Sequence, residues 1–139
     1  MWMQKPIRLA AKPRGFHLVT GEILGQLPEL ADFNFGLAHL FLQHTSASLA
    51  INENADADVR TDLESYFSRN VRENEPYYRH TLEGGDDMPA HIKSVIIGVS
   101  LTVPISCGRL ALGMWQGVYL CEHRNQGGSR TLIVTLNGE

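Results

Sequence analysis

The chain has 139 residues, of which 43% are hydrophobic, and this suits one domain with a buried core. Its formal net charge is −3 without any basic block, which argues against a nucleic-acid-binding protein. No apolar run approaches the roughly 18 residues of a membrane helix. We also expect no signal peptide, because no long apolar stretch follows residues 1–6. Cys107 and Cys121 form no CxxC motif and no disulfide framework, so a cytoplasmic location is expected.

The first third of the chain predicts two short strands, a helix and one long strand. Residues 7–11 and 16–19 are short apolar runs. Thr20 is a candidate N-cap, because apolar residues follow it at helical spacing, namely Ile23, Leu24, Leu27 and Leu30. Pro28 should shorten or bend this helix. Residues 36–43 form the clearest strand, and since both alternating faces are mostly apolar, we expect a second sheet, a helix or another subunit to cover each.

The middle third predicts a strand, two helices and a long loop. Residues 47–51 are either the hairpin partner or the continuation of the preceding strand. Residues 56–71 repeat apolar side chains at helical spacing, with charged residues between them. Residues 72–85 are polar and contain two glycines and a proline, so we expect a surface loop. Asp86 or Asp87 then caps a second helix. Its predicted apolar stripe consists of Ile92, Val95 and Ile96.

The last third is rich in predicted strands, at residues 99–103, 109–112, 117–122 and 131–136. Strands and helices therefore alternate irregularly before a final run of strands. This order favours an α+β domain with mainly antiparallel sheets and three helices over a doubly wound fold.

The first of three polar clusters follows the long strand, at residues 44–48, with Asn52 and Glu53 just beyond. His44 has the ligand chemistry for zinc and similar metals, or is a strand-end histidine bonded to backbone. Ser46 is a candidate ligand for phosphate oxygens, or a simple turn residue. Asn52 and Glu53 either ligate a metal and orient a substrate, or are ordinary residues ahead of the next helix.

The second cluster lies at residues 86–91. Asp87 and His91 are four residues apart, so they are expected on one face of the first helical turn. The alternative is a capping aspartate and a surface histidine. His80, in the polar loop, is expected to be solvated.

The third cluster ends the strand at residues 117–122. Strand alternation puts Gln116 and Glu122 on one face and His123 on the other. Glu122 and His123 should therefore point into one pocket only if the strand ends or bulges there. Arg124 and Arg130 border a glycine-containing loop that is able to hold phosphate through bidentate contacts, or is a hairpin loop with exposed arginines.

These stretches resemble the YjbQ family, whose members carry the name secondary thiamine-phosphate synthase. The matching sequence is HTSASL at 44–49 with Asn52-Glu53, DDMPAHIK at 86–93, GRLALGMWQGVYL at 108–120 and Glu122-His123-Arg124. The resemblance covers almost the whole chain. It implies two packed sheets, a homotrimer and a pocket near a subunit boundary, often with a bound metal. The implied activity is weak formation of thiamine phosphate from a pyrimidine diphosphate and a thiazole phosphate. Some relatives carry an aromatic residue in place of His123.

Candidate roles follow from that phosphorylated small-molecule chemistry. The ligands of a divalent metal, zinc or magnesium, would be His44 and His91, with His123 as a third candidate. The carboxylates that bind the metal or orient the imidazoles would be Asp87, Glu53 and Glu122. The phosphate oxygens would contact Arg124, Arg130 and Ser46. The substrate would be oriented by Asn52 and Gln116. Two alternatives stay open: a trimeric metal- or metabolite-binding protein with incidental synthase activity, and a metal-dependent phosphate hydrolase.

Overall fold

The structure is a computed structural model that describes all 139 residues. It contains eight strands: β1 (Trp2–Leu9), β2 (Gly15–Leu18), β3 (Phe35–Leu42), β4 (Ala47–Glu53), β5 (Ser100–Ser106), β6 (Arg109–Leu110), β7 (Gln116–Glu122) and β8 (Arg130–Gly138). It contains three α-helices: α1 (Thr20–Leu24), α2 (Ala57–Asn70) and α3 (Asp87–Ile97). A short 3₁₀ helix covers Pro28–Asp32. No helix is both long enough and apolar enough to cross a membrane.

Two antiparallel sheets pack against each other, which confirms the predicted α+β class. The larger sheet has the order β1-β8-β3-β5-β6, and the smaller has the order β2-β7-β4. The main core lies between the sheets and is built from inward-facing residues of both, including Leu40, Leu49, Leu120 and Val134. Leu120 and Val134 are fully buried, because β7 and β8 each lie between two neighbouring strands and present these residues to the opposite sheet.

Two elements differ from their predictions, one helix in its length and one strand in its pairing. The apolar pattern that starts at Thr20 ends as an α-helix at Leu24, and Pro28 opens the 3₁₀ helix that buries Leu30. The strand predicted at residues 47–51 is neither a partner nor a continuation of β3. Instead the chain leaves the larger sheet after Leu42, and β4 pairs with β7 in the smaller sheet.

Helix α2 confirms the amphipathic prediction, and its N-cap Asp56 accepts a hydrogen bond from the Asp58 amide at 2.9 Å. Helix α3 corrects two predictions. Asp86 stands at its N-cap position, but the Asp86 side chain makes no capping hydrogen bond. The inward face of α3 carries small and polar residues, whereas the expected apolar stripe is largely exposed, with Val95 at 85%. This reversal places polar side chains where α3 meets β4.

The two faces of β3 differ. Ala38, Leu40 and Leu42 are buried between the sheets. The opposite face remains open within one chain, because Phe35, Leu37 and Phe41 are about half exposed, at 58%, 52% and 45%. The expected cover is therefore present on one face, and the other is an uncovered apolar surface.

Candidate functional site

Four potential metal ligands converge where the 72–85 loop enters α3. The ligand atoms of His80, Glu83, Asp87 and His91 all lie within 4.8 Å of one another. Asp87 and His91 stand one turn apart on α3, and the loop supplies His80 and Glu83. The expectation that His80 is merely solvated is corrected, because its Nε2 lies 2.6 Å from Asp87 Oδ2. We call these four residues the His/Asp/Glu cluster.

The hydrogen bonds of His91 fix which of its nitrogens faces the cluster. Nδ1 lies 2.9 Å from the carbonyl oxygen of Thr45, which accepts only, so Nδ1 carries the proton. The Nε2 of a neutral ring then presents its lone pair toward Asp87 Oδ2, 3.2 Å away. A lone pair facing a carboxylate is favourable only if the ring is protonated or a cation lies between them. A histidine that ligates a metal usually has this arrangement, with its other nitrogen bonded to a carbonyl.

Asp87 is the most buried member of the cluster, with 2% of its side chain exposed. Burial by itself raises the pKa of Asp87, but the hydrogen bond from His80 and the nearby charges of His91 and Arg124 outweigh it. The net effect is a pKa below the usual value. Asp87 is therefore a carboxylate at neutral pH, the form that a metal requires.

Arg124 is committed to this region through all three guanidinium nitrogens. Nε donates to Asp86 Oδ2 at 2.9 Å, Nη1 to Asp87 Oδ1 at 2.6 Å, and Nη2 to the Glu83 carbonyl at 2.9 Å. Arg124 was expected to bind phosphate. The structure instead places its fork on protein oxygens, and this side chain offers no free bidentate face.

A cavity of about 610 Å³ adjoins the cluster. Its polar lining includes His44, Thr45, His91 and Ser94, and its apolar lining consists of Phe41, Leu42, Val95 and Val99. His91 therefore belongs to both the cluster and the cavity. His44 and His91 line the same cavity. The hydrogen bond between His91 and Thr45, which are 46 residues apart, joins the two segments that carry them.

His44 is part of this lining, and both of its ring nitrogens contact other residues of the chain. Its Nε2 accepts a hydrogen bond from the Thr131 amide at 2.8 Å, and its Nδ1 lies 3.3 Å from Arg130 Nη1. Burial lowers the pKa of His44, the Arg130 charge lowers it further, and Glu122 opposes both. His44 is thus a neutral imidazole of the cavity wall and stands outside the His/Asp/Glu cluster.

A buried ion pair joins the two sheets beneath His44. Arg130 Nε lies 2.7 Å from Glu122 Oε1, and Arg130 Nη2 lies 2.5 Å from Glu122 Oε2. Nη2 also donates to Ser46 Oγ at 3.1 Å. Glu122 is fully buried and Arg130 nearly so. These groups, expected around a metal and a phosphate, satisfy one another inside the protein.

His123 lies on the other side of β7 from Glu122, as strand alternation predicts. It is fully buried, and its Nε2 lies 2.8 Å from Ser48 Oγ. Its Nδ1 has no hydrogen-bond partner. Burial first, and then the charges of Lys93 and Arg130, lower the pKa of His123 to about 3. His123 is therefore a neutral core residue, remote in contacts from the cluster.

Asn52, Glu53 and Gln116 lie at the opposite end of the smaller sheet. Glu53 pairs with Gln116 there, whereas Ala47 pairs with Glu122 at the end near the cluster. The six steps between these pairs span about 20 Å at roughly 3.3 Å per residue. The carboxylate of Glu53 accepts a hydrogen bond from the Asp56 amide at 3.1 Å, which is an ordinary structural role ahead of α2. One chain does not bring these residues to the cavity.

Sequence reasoning missed two cluster members, His80 and Glu83. The spacing of the four ligands is three, four and four residues, which is the spacing of neighbours on a helix face. The pattern was overlooked because residues 72–85 were predicted to be a loop, where helical spacing is not expected to bring side chains together. The regular recurrence of metal-ligating residue types was the available signal.

Comparison with known proteins places the chain among relatives of similar length and fold. The family model described as "UPF0047 protein YjbQ-like" matches residues 5–139. The UPF0047 protein YjbQ of Escherichia coli O157:H7 is 57% identical over 139 residues, with 100% of both chains covered. A UPF0047 protein of Synechocystis is 54% identical over 104 residues, which are 75% of this chain and 71% of the relative.

Two solved structures have the same fold. A conserved hypothetical protein from Thermus thermophilus is 32% identical, with a TM-score of 0.83 over 96% of this chain and 99% of that one. A hypothetical protein from Aeropyrum pernix is 27% identical, with a TM-score of 0.86 over 99% of both chains. Matching sequence over nearly the full length, together with the shared two-sheet fold, identifies the chain as a member of the YjbQ-like UPF0047 family.

Proposed function

We propose that the His/Asp/Glu cluster binds a divalent metal, and that the adjoining cavity holds a phosphorylated small molecule on which the protein acts. The observation that carries this proposal is the double position of His91, which belongs to the cluster and lines the cavity. The reaction that the family resemblance suggests is a thiamine-phosphate-synthase-like condensation, in which a thiazole nitrogen displaces pyrophosphate from a pyrimidine diphosphate.

The donor set fits such an ion. Two imidazoles and two carboxylates within 4.8 Å are ligand types that zinc accepts. Magnesium prefers oxygen ligands, so the two histidines favour zinc over magnesium. The Nδ1–H bond of His91 to Thr45 leaves Nε2 free as a ligand. A divalent ion held here would supply positive charge for a departing pyrophosphate.

The cavity lining supports a ligand with one flat apolar part and one polar part. Phe41, Val95 and Val99 offer an apolar wall that suits a heteroaromatic ring. Thr45 and Ser94 lie on the same lining, although the Ser94 hydroxyl already donates to the Ala47 carbonyl at 2.8 Å. The thiazole is itself the nucleophile, so the reaction needs orientation and exclusion of water from this chain and no attacking side chain.

His44 would contribute as a neutral polar group of the wall. Its orientation is fixed by the Thr131 amide, and the Glu122–Arg130 pair supports it from behind. Ser46 is held by the same arginine. In this proposal these residues keep the cavity floor rigid, while the cluster residues bind the ion.

We further propose that the protein works as a homotrimer. The uncovered face of β3 carries Phe35, Leu37 and Phe41, and Phe41 also lines the cavity. An apolar patch next to a ligand cavity is typical of a subunit interface. An interface there would bring a neighbouring chain to the cavity and place the pocket at a subunit boundary.

One observation favours the alternative, a trimeric metal- or metabolite-binding protein with incidental synthase activity. Arg124 and Arg130 both donate to protein oxygens, so neither offers the free guanidinium group expected of an efficient pyrophosphate site. A kcat/KM far below roughly 10⁴ M⁻¹s⁻¹ for the condensation would favour this alternative.

The test is product formation from the pyrimidine diphosphate and the thiazole phosphate, before and after chelation and after zinc or magnesium is restored. We expect turnover to fall on chelation, to return with the metal, and to be lost in His44→Ala/His91→Ala. The matched control is His17→Ala, because His17 lines a different cavity. Full turnover and full metal content in the double variant would overturn the proposal. Phosphate release without joining of the substrates would indicate a hydrolase.

A further inference from the structure

We propose that Arg124 is a positioning residue of the His/Asp/Glu cluster, holding its loop half and its helix half in register without being a ligand. This inference rests on the proposed metal-binding function. Arg124 contacts Asp87 on α3 and the carbonyl of Glu83 in the loop, so it touches one cluster member from each half. It lies two residues beyond the end of β7, and it therefore ties both halves to the smaller sheet.

The contact with Asp87 selects which oxygen the cluster receives. Arg124 Nη1 donates a hydrogen bond to Asp87 Oδ1 at 2.6 Å. The other oxygen, Oδ2, faces His80 at 2.6 Å and His91 at 3.2 Å. A guanidinium fork is planar and directional, so it fixes the rotation of the carboxylate as well as its charge. Without Arg124 the Asp87 side chain would be free to turn away from the two imidazoles.

The contact with Glu83 positions the loop half. The Glu83 carbonyl accepts a hydrogen bond from Arg124 immediately before Gly84. Gly84 has a φ of +105°, a conformation that favours glycine. The apolar side chains of the loop contribute little anchoring, since Tyr77 is 75% exposed and Leu82 is 98% exposed. Polar ties therefore hold the loop, and the Arg124–Glu83 bond is one of those nearest the cluster.

The Nε arm contacts a residue outside the cluster. Asp86 Oδ2 accepts from Arg124 Nε at 2.9 Å and from the Asn125 amide at 2.9 Å. These two hydrogen bonds hold Arg124 and Asn125 against the start of α3. The hydrogen bond to Asp86, the largest influence on the guanidinium, raises the pKa of Arg124 above its ordinary value. An arginine is charged at any ordinary pH, and its hydrogen bonds to Asp86 and Asp87 fix the direction of this one.

Whether loss of Arg124 weakens or strengthens metal binding distinguishes a positioning role from a purely electrostatic one. A cation beside the cluster repels a second cation, so loss of Arg124 for purely electrostatic reasons would strengthen metal binding. Loss of a positioning contact has the opposite sign, because residues that orient metal ligands are typically worth roughly 10–100-fold in affinity. A lysine keeps the charge but lacks the fork, and it should not replace the arginine.

The experiment measures zinc affinity by calorimetry with chelator competition, and the visible spectrum of the cobalt form, on the full chain. We expect Arg124→Ala to weaken zinc binding roughly 10–100-fold, to alter the cobalt spectrum, and not to be rescued by Arg124→Lys. Arg79→Ala is the control, since it removes the same charge from an exposed position in the same loop. Unchanged or tighter binding in Arg124→Ala, or full rescue by lysine, would overturn the inference.

A second readout needs no metal and separates this inference from the proposed function. Chymotrypsin should cut the metal-free loop, at exposed sites such as Tyr77 and Leu82, roughly 10–100-fold faster in Arg124→Ala than in Arg79→Ala, because loss of a charged hydrogen bond raises the population of the open loop. Equal cleavage rates would contradict positioning. If the wild-type chain binds no zinc, the proposed function fails, and the cleavage rates still decide the role of Arg124.

Discussion

His91 donates from Nδ1 to the carbonyl oxygen of Thr45, and this 2.9 Å hydrogen bond joins α3 to the segment between β3 and β4. The backbone of a distant part of the chain thereby orients the proposed metal ligand. The bond predicts that His91 is the Nδ1–H tautomer when zinc is present. Nitrogen chemical shifts of the histidine side chains measure this directly. A Nε2–H tautomer for His91 in the zinc-loaded protein would contradict the assignment.

The buried Glu122–Arg130 pair predicts a large loss of stability when either partner is removed. We expect Arg130→Met or Glu122→Gln to lower the free energy of unfolding by about 3–5 kcal/mol, because the remaining charged partner is left uncompensated. Urea unfolding at fixed protein concentration measures this change.

The control for that experiment is the apolar double variant Glu122→Leu/Arg130→Met, which removes both charges together. It should recover most of the loss, since well-packed apolar residues often replace a buried pair at little cost. Single variants that unfold like the wild type would show that the pair contributes nothing.

The buried His123 predicts a loss of stability on acidification. Its pKa is about 3 in the folded chain, whereas an unfolded histidine titrates near 6.5. The unfolded state therefore binds more protons below pH 6.5, and stability falls as the pH drops from there toward 3. At pH 5 the loss relative to pH 7 is about 2 kcal/mol for this one group.

Comparison with His123→Gln isolates that contribution, since the other groups with lowered pKa values, including His44, are present in both proteins. The variant should lose about 2 kcal/mol less than the wild type between pH 7 and pH 5 in urea unfolding. Equal pH dependence in both proteins would show that His123 is not buried as a neutral ring.

The trimer interface proposed on the uncovered face of β3 predicts that an acidic residue there causes dissociation. Leu37→Asp would bury a carboxylate in an apolar interface, so we expect dissociation to a 15.5 kDa species in sedimentation. Ser65→Asp is the control, because Ser65 is exposed on α2, away from the larger sheet. A wild-type chain that sediments as 15.5 kDa at micromolar concentration would refute the trimer itself.

Sequence patterns predicted the fold more fully than the site. Periodicity located β3, α2 and the late strands, because each has a long apolar repeat that one packed face imposes. It misassigned β4, since strand pairing depends on contacts with β7, far along the chain, which no local pattern encodes. It also assigned the inward face of α3 by hydrophobicity, whereas small and polar residues occupy that face.

The sequence predicted some of the side-chain positions around the candidate site. Asp87 and His91 share a helix face, as their spacing requires. Two other expectations depended on side-chain partners that a sequence does not reveal. Arg124 and Arg130 looked available for phosphate, but nearby carboxylates bind both of them. Equally, the loop predicted around His80 did not indicate that this side chain would contact Asp87 in the folded chain.

The most direct test of the central claim is a zinc titration of the wild-type chain beside His80→Ala and His39→Ala. His80 is the proposed ligand that only the folded chain identifies, whereas His39 contacts Thr102 on the outer face of the larger sheet. We predict one zinc ion per chain in the wild type and in His39→Ala, and a loss of affinity beyond about 100-fold in His80→Ala, since a ligand outweighs the roughly 10–100-fold of a supporting residue. Equal zinc affinity in all three proteins, or none in the wild type, would contradict the account.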